Sequence, residues 1–391
     1  MAQILDFDTT RLPCAHWTDS HTSWREALRA FVDREIMPHV NDWDEAGEFA
    51  RDLHQKAAAI GLLGLGYPEE YGGISEGVDL FHAIIASEEI ARTGSGGLGA
   101  GLMTHGIALP PILALGSDEL KARIAPPVLS GEKLISLCIT EPSGGSDVAN
   151  IRTKATREGA VYVVNGEKTY ITTGCRADYL TVAVRTGGPG AGGLSFLLIE
   201  ADREGVSRTR LPKMGWWMSD TASIHFEDVR VPVENLIGQE NAGFLGIVNN
   251  FNMERLTMAA QALAYARVCV EDAAAWAQER STFGKPLSRH QVIRHKFADM
   301  VQRIHAGTAY LDHCATRVLQ GESPIAELSL LKVQATQTME FCAREAMQIL
   351  GGASYIRGQR IERIYREVRV MAIGGGSEEI MNDLAIRQFG L

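Results

Sequence analysis

The sequence predicts an α+β protein of several domains: a helical segment, then a compact antiparallel barrel or sandwich, then a bundle of long helices. Three observations carry this reading. Amphipathic runs with 3/4 spacing fill the first 130 or so residues. Short β-rich runs separated by turn residues occupy the stretch from Leu134 to about Val233. After Gly243 the 3/4 spacing returns in longer stripes. A chain of 391 residues suits two or three domains at about 150 residues each.

In the N-terminal part, Ser23–Met37, Arg51–Ile60 and Asp79–Arg92 read as amphipathic helices, with Pro and Gly between them as in GYPEEYGG. The β runs are LISLCIT, AVYVVNG, TYITTG, YLTVAV, LSFLLIE and SIHFEDVRV, and Asn165-Gly166 between the second and third reads as a hairpin turn. Regular spacing without intervening helices points to a barrel or a sandwich. Farther on, Ile293, Phe297, Met300, Ile304, Leu311, Cys314 and Val318 form one stripe, broken only over Gly307. Leu328, Leu331, Ala335, Met339, Cys342, Ala346 and Ile349 form a second, with Ser323-Pro324 as N-cap and first helical residue and Gly351 as the stop. The boundaries that follow are 1–133, 134–240 and 241–391.

Composition narrows the function. With 45% hydrophobic and 22% charged residues the chain is an ordinary globular protein. A net charge of −10 lacks the basic footprint of nucleic-acid binding, so no nucleic-acid partner is expected. Six cysteines without a CxxC pair read as reduced thiols, and eleven histidines without HExxH point to no protein-bound metal. No run of 18 apolar residues occurs and the N-terminus has no apolar signal core, so a cytoplasmic protein without a membrane partner is expected.

Gly94, Gly96 and Gly99 fit GxGxxG, with Asp118 and Glu119 about 20 residues on, but a dinucleotide turn needs a preceding strand. The preceding LFHAIIASEEIAR is helical, which makes the glycines a helix–helix connection. The stretch Leu137–Asp147 is more informative: a strand ends at Thr140, and Pro142, two glycines and two serines then expose backbone N–H groups beside hydroxyls. Such a loop can cradle a phosphate or a polar ring edge, or be only a decorated turn.

Five further segments accompany it: NGEKTYITTG (165–174), KMGWWMSDTA (213–222), RSTFGKPLSRHQ (280–291), QILGG (348–352) and GGGSEEIM (374–381). In this order the six segments resemble the acyl-CoA dehydrogenase family, from about Arg25 to Leu391. The resemblance implies that family's fold: N-terminal helical domain, middle β-barrel and C-terminal four-helix bundle. It implies FAD as cofactor, an acyl-CoA substrate oxidised to the trans-2-enoyl-CoA, and an electron-transfer flavoprotein as acceptor. A homotetramer built as a dimer of dimers is also implied.

The same resemblance assigns residues. Leu137, Ile139, Thr140, Gly145 and Ser146 match flavin contacts, and Ser146 also matches a substrate contact. Tyr170, Ile171 and Thr172 match a Trp-Ile-Thr beside the isoalloxazine ring, with Tyr in place of the commoner Trp. Arg280, Phe283 and Gln291 match residues that reach the adenosine pyrophosphate from a neighbouring subunit. Gln348, Ile349, Leu350, Gly351 and Gly352 match a turn under the adenine, and Ser377 and Glu379 match contacts at the other end of FAD. Many members carry the catalytic glutamate where this chain has Gly375. A subset that includes isovaleryl-CoA and long-chain dehydrogenases carries it on the first long C-terminal helix. Asn252-Met253-Glu254-Arg255 matches that pattern, which makes Glu254 the expected base, with Asn252, Met253 and Arg255 near substrate. Gly375 remains a candidate donor to the thioester carbonyl. Glu378 and Glu379 are the rival carboxylates. The alternatives are an acyl-CoA oxidase of the same fold and a flavin-containing DNA-binding homologue. The Gly-rich stretch 94–101, with Leu102 and Met103, is expected near the pocket floor, leaving room for long or branched chains.

Overall fold

The computed structural model describes residues 5–391, and the side chains of all of them outside 244–252. Among the described residues, eight α-helices precede the β region: α1 (Asp19–Phe31), α2 (Val40–Ala46), α3 (Leu53–Ala59), α4 (Leu80–Ala91), α5 (Gly96–Leu102), α6 (His105–Ala108), α7 (Pro110–Leu115) and α8 (Asp118–Leu129). Eight strands follow: β1 (Ile135–Cys138), β2 (Lys154–Glu158), β3 (Val161–Thr172), β4 (Tyr179–Arg185), β5 (Leu194–Glu200), β6 (Val206–Arg210), β7 (Thr221–Pro232) and β8 (Leu236–Ile237). The C-terminal part holds α9 (Gly243–Glu279), the short strands β9 (Ser281–Thr282) and β10 (Lys285–Pro286), α10 (Gln291–Leu319), α11 (Ile325–Leu350), α12 (Arg360–Ile373) and α13 (Glu378–Gln388). The helix–β–helix order is the one the periodicities predict. No single helix among the described residues is long and apolar enough to cross a membrane.

By contact the chain divides into two units, neither of which is one continuous stretch. One comprises the chain up to Asp42, Asp79–Gly99 and Arg255–Leu391; the other comprises Trp43–Val78 and Ala100–Glu254. In the first unit α4 joins the C-terminal helices because buried charges tie them together. Glu88 on α4 accepts from Arg11 Nε at 2.8 Å and from Arg267 Nη1 of α9 at 2.9 Å, and Arg11 also meets Asp312 of α10. Both guanidiniums keep Glu88 ionised although burial opposes it. Gly307 explains the break in the α10 stripe: a Cβ there would lie 2.5 Å from Leu263, so glycine lets α9 and α10 approach. Helix α4 starts where Asp79 accepts from the N–H groups of Phe81 and His82.

In the second unit the strand order is β6-β7-β3-β2-β4-β5-β8, with β1 pairing parallel to β4. One apolar cluster, including Ile124, Ile135, Phe196 and Leu198, packs the sheet on α8; another, including Tyr162, Val164, Val182 and Ile224, fills its other side.

Two local expectations are corrected. Asn165-Gly166 is not a hairpin turn but a bulge inside one long strand, β3, whose pairing with β7 shifts between Val164 and Gly166. Asn165 is held by its amide bonding Asp228 on β7, and a Cβ on Gly166 would come within 2.7 Å of Thr153 Cα. The turn falls instead at Gly159, after β2, a strand too polar to show an alternating pattern. Helix α11 begins at Ile325, and Pro324 with ψ 66° is its N-cap rather than its first helical residue. Gly351 ends α11 with φ 61°, as expected. Cys138, Cys269, Cys314 and Cys342 are buried, Cys14 and Cys175 half-buried, and all six are free thiols.

Candidate active site

In the second unit, the two segments expected at the flavin are hydrogen-bonded to one another. Ser136 Oγ donates to the Thr172 carbonyl at 2.8 Å, and the Thr169 N–H donates to the Thr140 carbonyl at 2.9 Å. Ile139 and Ile171 point their side chains into the cores on either side of the sheet, so only their backbones remain for a ligand. Leu137, Thr140 and Thr172 are half-buried, and the Thr140 and Thr172 hydroxyls have no hydrogen-bond partner among the described residues. Gly144 and Glu141 close a tight turn on each other, and Gly145 and Ser146 stand exposed beyond it.

Tyr170 carries the geometric signature of this edge. The β3–β7 pairing slips again between Lys168 and Ile171, and in that bulge Tyr170 adopts φ 59° with 71% of its surface exposed. A bulky residue in the left-handed region is strained, and such strain persists where surrounding structure enforces it. The enforcing contacts come from below. The fully buried Lys168 donates from Nζ to the Ile139 carbonyl at 3.0 Å and to Glu141 Oε1 at 2.9 Å. Burial alone would raise the Glu141 carboxyl, but Lys168 and backbone donors hold it below its ordinary value. Also in this unit, Met253 is 43% exposed and Glu254 half-buried. Asn252 lies outside the described side chains.

The remaining candidates sit in the first unit. Arg255, buried on α9, donates from Nε to the Gly375 carbonyl at 3.4 Å, and Lys332 Nζ of α11 donates to the Gly376 carbonyl at 2.8 Å. Two cations thus hold the carbonyls of a turn in which Gly375 and Gly376 have φ 66° and 108°. The Gly375 N–H has no partner among the described residues. Ser377 caps α13 by accepting from the Ile380 N–H, and Glu378 accepts from Gln337. Glu379 is exposed, its carboxyl held low by its own backbone N–H and the Ser377 hydroxyl. Neither rival carboxylate is buried.

Arg280 immediately precedes the β9–β10 hairpin and Gln291 opens α10 after it, and both are exposed. Its turn is Phe283-Gly284, with φ 52° and 79°, and the Phe283 ring is 96% exposed. Two consecutive positive φ values match a type I′ turn, which favours Asn or Gly in the first place. Of the 348–352 turn, Gln348, Gly351 and Gly352 are exposed, whereas Ile349 and Leu350 belong to the core.

Two glycines of the Gly-rich stretch are closely packed. A Cβ on Gly94 would lie 2.9 Å from Arg360, and one on Gly101 would lie 2.8 Å from the Phe49 ring. These glycines admit neighbouring side chains, and Leu102 is buried at 1% exposure. Sequence reasoning did not single out Lys168, Glu141 or Lys332. Lys168 and Glu141 stand inside the segments 165–174 and 137–147, among polar and turn residues that give no sign of their burial.

The donor set fits a planar ring with a polar edge: an exposed aromatic face at Tyr170 beside open hydroxyls at Thr140 and Thr172. Comparison with known proteins agrees. The family profiles for the acyl-CoA dehydrogenase N-terminal, middle and C-terminal domains match residues 18–132, 136–229 and 241–389. The chain is 40% identical to acyl-CoA dehydrogenase AFT10-1 of Alternaria alternata, over 95% of this chain and 92% of that protein. It is 34% identical to the mitochondrial long-chain specific acyl-CoA dehydrogenase of Sus scrofa, over 95% and 87%. The crystal structure of a probable acyl-CoA dehydrogenase from Mycobacterium abscessus superposes with a TM-score of 0.93 at 48% identity, covering 95% of this chain and 99% of that one.

Proposed function

The chain belongs to the acyl-CoA dehydrogenase family, and from that premise we propose that Glu254 is the base that takes the α-proton of a fatty acyl-CoA. The protein is a flavoprotein oxidoreductase of acyl-CoA thioesters, with FAD as its cofactor. Bound FAD supplies the acceptor for the β-hydrogen, which leaves as hydride. The open hydroxyls of Thr140 and Thr172 would hold its polar edge, and Tyr170 would lie beside the ring.

The chain's own part of the reaction is proton removal. An α-C–H next to a thioester is a weak acid, so the base needs a carbonyl polarised at the same time. The Gly375 N–H, which meets no acceptor among the described residues, is suited to stabilise the developing enolate oxygen, and Arg255 and Lys332 keep that donor in place by bonding the neighbouring carbonyls. The observation that carries this reading is the Arg255–Gly375 bond: the residue following Glu254 reaches the turn where other members keep their base. Glu254 takes the proton on its carboxylate and later releases it to solvent.

An electron-transfer flavoprotein is the proposed acceptor and a tetramer of paired dimers the proposed assembly. What supports the assembly is apolar surface left bare on a single chain: Phe283 at 96%, Tyr355 at 86% and Ile356 at 65% exposure. The test is anaerobic mixing of the FAD-loaded enzyme with acyl-CoAs of graded length and branching. Glu254→Gln should keep FAD and acyl-CoA affinity and lose at least about 10²-fold in flavin reduction, the usual worth of a general base. Near-normal reduction in that variant refutes the assignment and directs attention to Glu378 and Glu379. Slow reoxidation of the reduced enzyme in air separates a dehydrogenase from an oxidase.

A further inference from the structure

We propose that the buried Lys168–Glu141 pair is a positioning clamp that locks the Thr140 loop to the Tyr170–Thr172 bulge and so sets the alignment in which flavin is reduced. The inference rests on reading those two segments as the flavin-facing ones.

Lys168 is 0% and Glu141 4% exposed. Through them three segments meet at one point. Lys168 lies on β3, and its Nζ bonds the Ile139 carbonyl and Glu141 Oε1. Glu141 lies in the loop after β1, and its carboxylate also accepts from the Thr153 N–H at 2.8 Å and the Arg152 N–H at 2.7 Å, just before β2. An apolar pair of similar volume would serve stability as well or better, because burying two charges costs more than their attraction reliably returns. What the charged pair adds is direction. The ammonium must aim at two fixed acceptors, and the carboxylate must meet two fixed N–H groups. Lys168 is also the last residue in regular register before the bulge, pairing with Ile224, while Ile171 pairs with Ala222. Three steps along β3 therefore face two along β7, and the surplus residue throws Tyr170 outward at φ 59°. The next residue, Thr169, bonds the Thr140 carbonyl. Removing Lys168 Nζ frees the Ile139 carbonyl and leaves Glu141 tied to the β2 side alone, so only the Thr169–Thr140 and Ser136–Thr172 bonds still hold loop to bulge and their alignment loosens.

The test uses the FAD-loaded enzyme with Lys168→Met, Glu141→Gln and Thr172→Ala in parallel. Readouts are the visible flavin spectrum, its midpoint potential, the rate of anaerobic reduction by an acyl-CoA, and KM against kcat. Lys168→Met should shift the spectrum and potential and slow reduction by about tenfold or more, with KM within about twofold of wild type. Glu141→Gln, which changes no volume, should move the same readouts less, and it decides the matter if Lys168→Met does not fold. A wild-type spectrum and reduction rate in both Lys168→Met and Glu141→Gln overturns the clamp. If Thr172→Ala is then still slow, the clamp alone falls; if Thr172→Ala is also unaffected, the flavin-site reading falls with it.

Discussion

Arg255, buried at 7% exposure on α9, donates from Nε to the carbonyl of Gly375, 3.4 Å away. The bond joins the residue beside the proposed base to the glycine turn whose N–H is proposed to polarise the thioester carbonyl. It also explains why glycine suits that position here. Gly375 has φ 66°, a backbone conformation that costs a side-chain-bearing L-residue about 1–2 kcal/mol. The double variant Glu254→Gly with Gly375→Glu is therefore expected to recover part of the flavin reduction lost in Glu254→Gly. It should also melt below wild type. Anaerobic reduction and thermal melts measure the two effects, and no recovery at all would separate the two positions functionally.

The Thr172 hydroxyl is open to a ligand, and its backbone carbonyl is already fixed by Ser136. Thr172→Ala should retain FAD and slow its reduction. One lost hydrogen bond to developing charge is worth about 1–3 kcal/mol, or roughly ten- to a hundredfold in rate. Stopped-flow absorbance of the reductive half-reaction shows whether the hydroxyl has this role.

Arg280 stands at the start of the hairpin whose tip exposes Phe283. If a neighbouring copy completes the adenosine end, Arg280→Ala should lower FAD occupancy and loosen the dimer together. Flavin-to-protein absorbance ratio and sedimentation at sub-micromolar concentration read both. A monomer that keeps stoichiometric FAD contradicts the shared site.

Two buried histidines in the second unit give a pH prediction. Burial pushes His54 down to about 4, with bonds to Arg51 and Gly101 only partly offsetting it, and burial likewise lowers His105 to about 4, with His54 adding to it. Both are neutral in the folded protein, whereas the unfolded chain takes up protons near the ordinary value of 6.5. Their contribution to stability is therefore complete above about pH 6.5 and is lost as pH falls toward 4. Each is worth at most about 3 kcal/mol across that window. Denaturant titrations from pH 7 to pH 4 should fall steeply for wild type and less so for His54→Gln. An unchanged slope would place the acid sensitivity elsewhere.

Much of the architecture is a one-dimensional property of this sequence. The stripes from Ile293 to Val318 and from Leu328 to Ile349 became α10 and α11 because a 3.6-residue period aligns apolar side chains whatever they pack against. The six motif segments are legible for the same reason: each is local. What the chain order did not contain is which distant residues share a charge or a backbone acceptor. Asn165-Gly166 has the chemistry of a turn, and only its partners Asp228 and Thr153 make it a bulge. Lys168 and Glu141 are 27 residues apart and read as ordinary polar positions until folding buries both against one carbonyl. Helix α4 stands with the C-terminal helices because Glu88 needs two guanidiniums, one of them 179 residues away. Buried charges must find partners wherever the fold places them, and only the tertiary structure decides where that is.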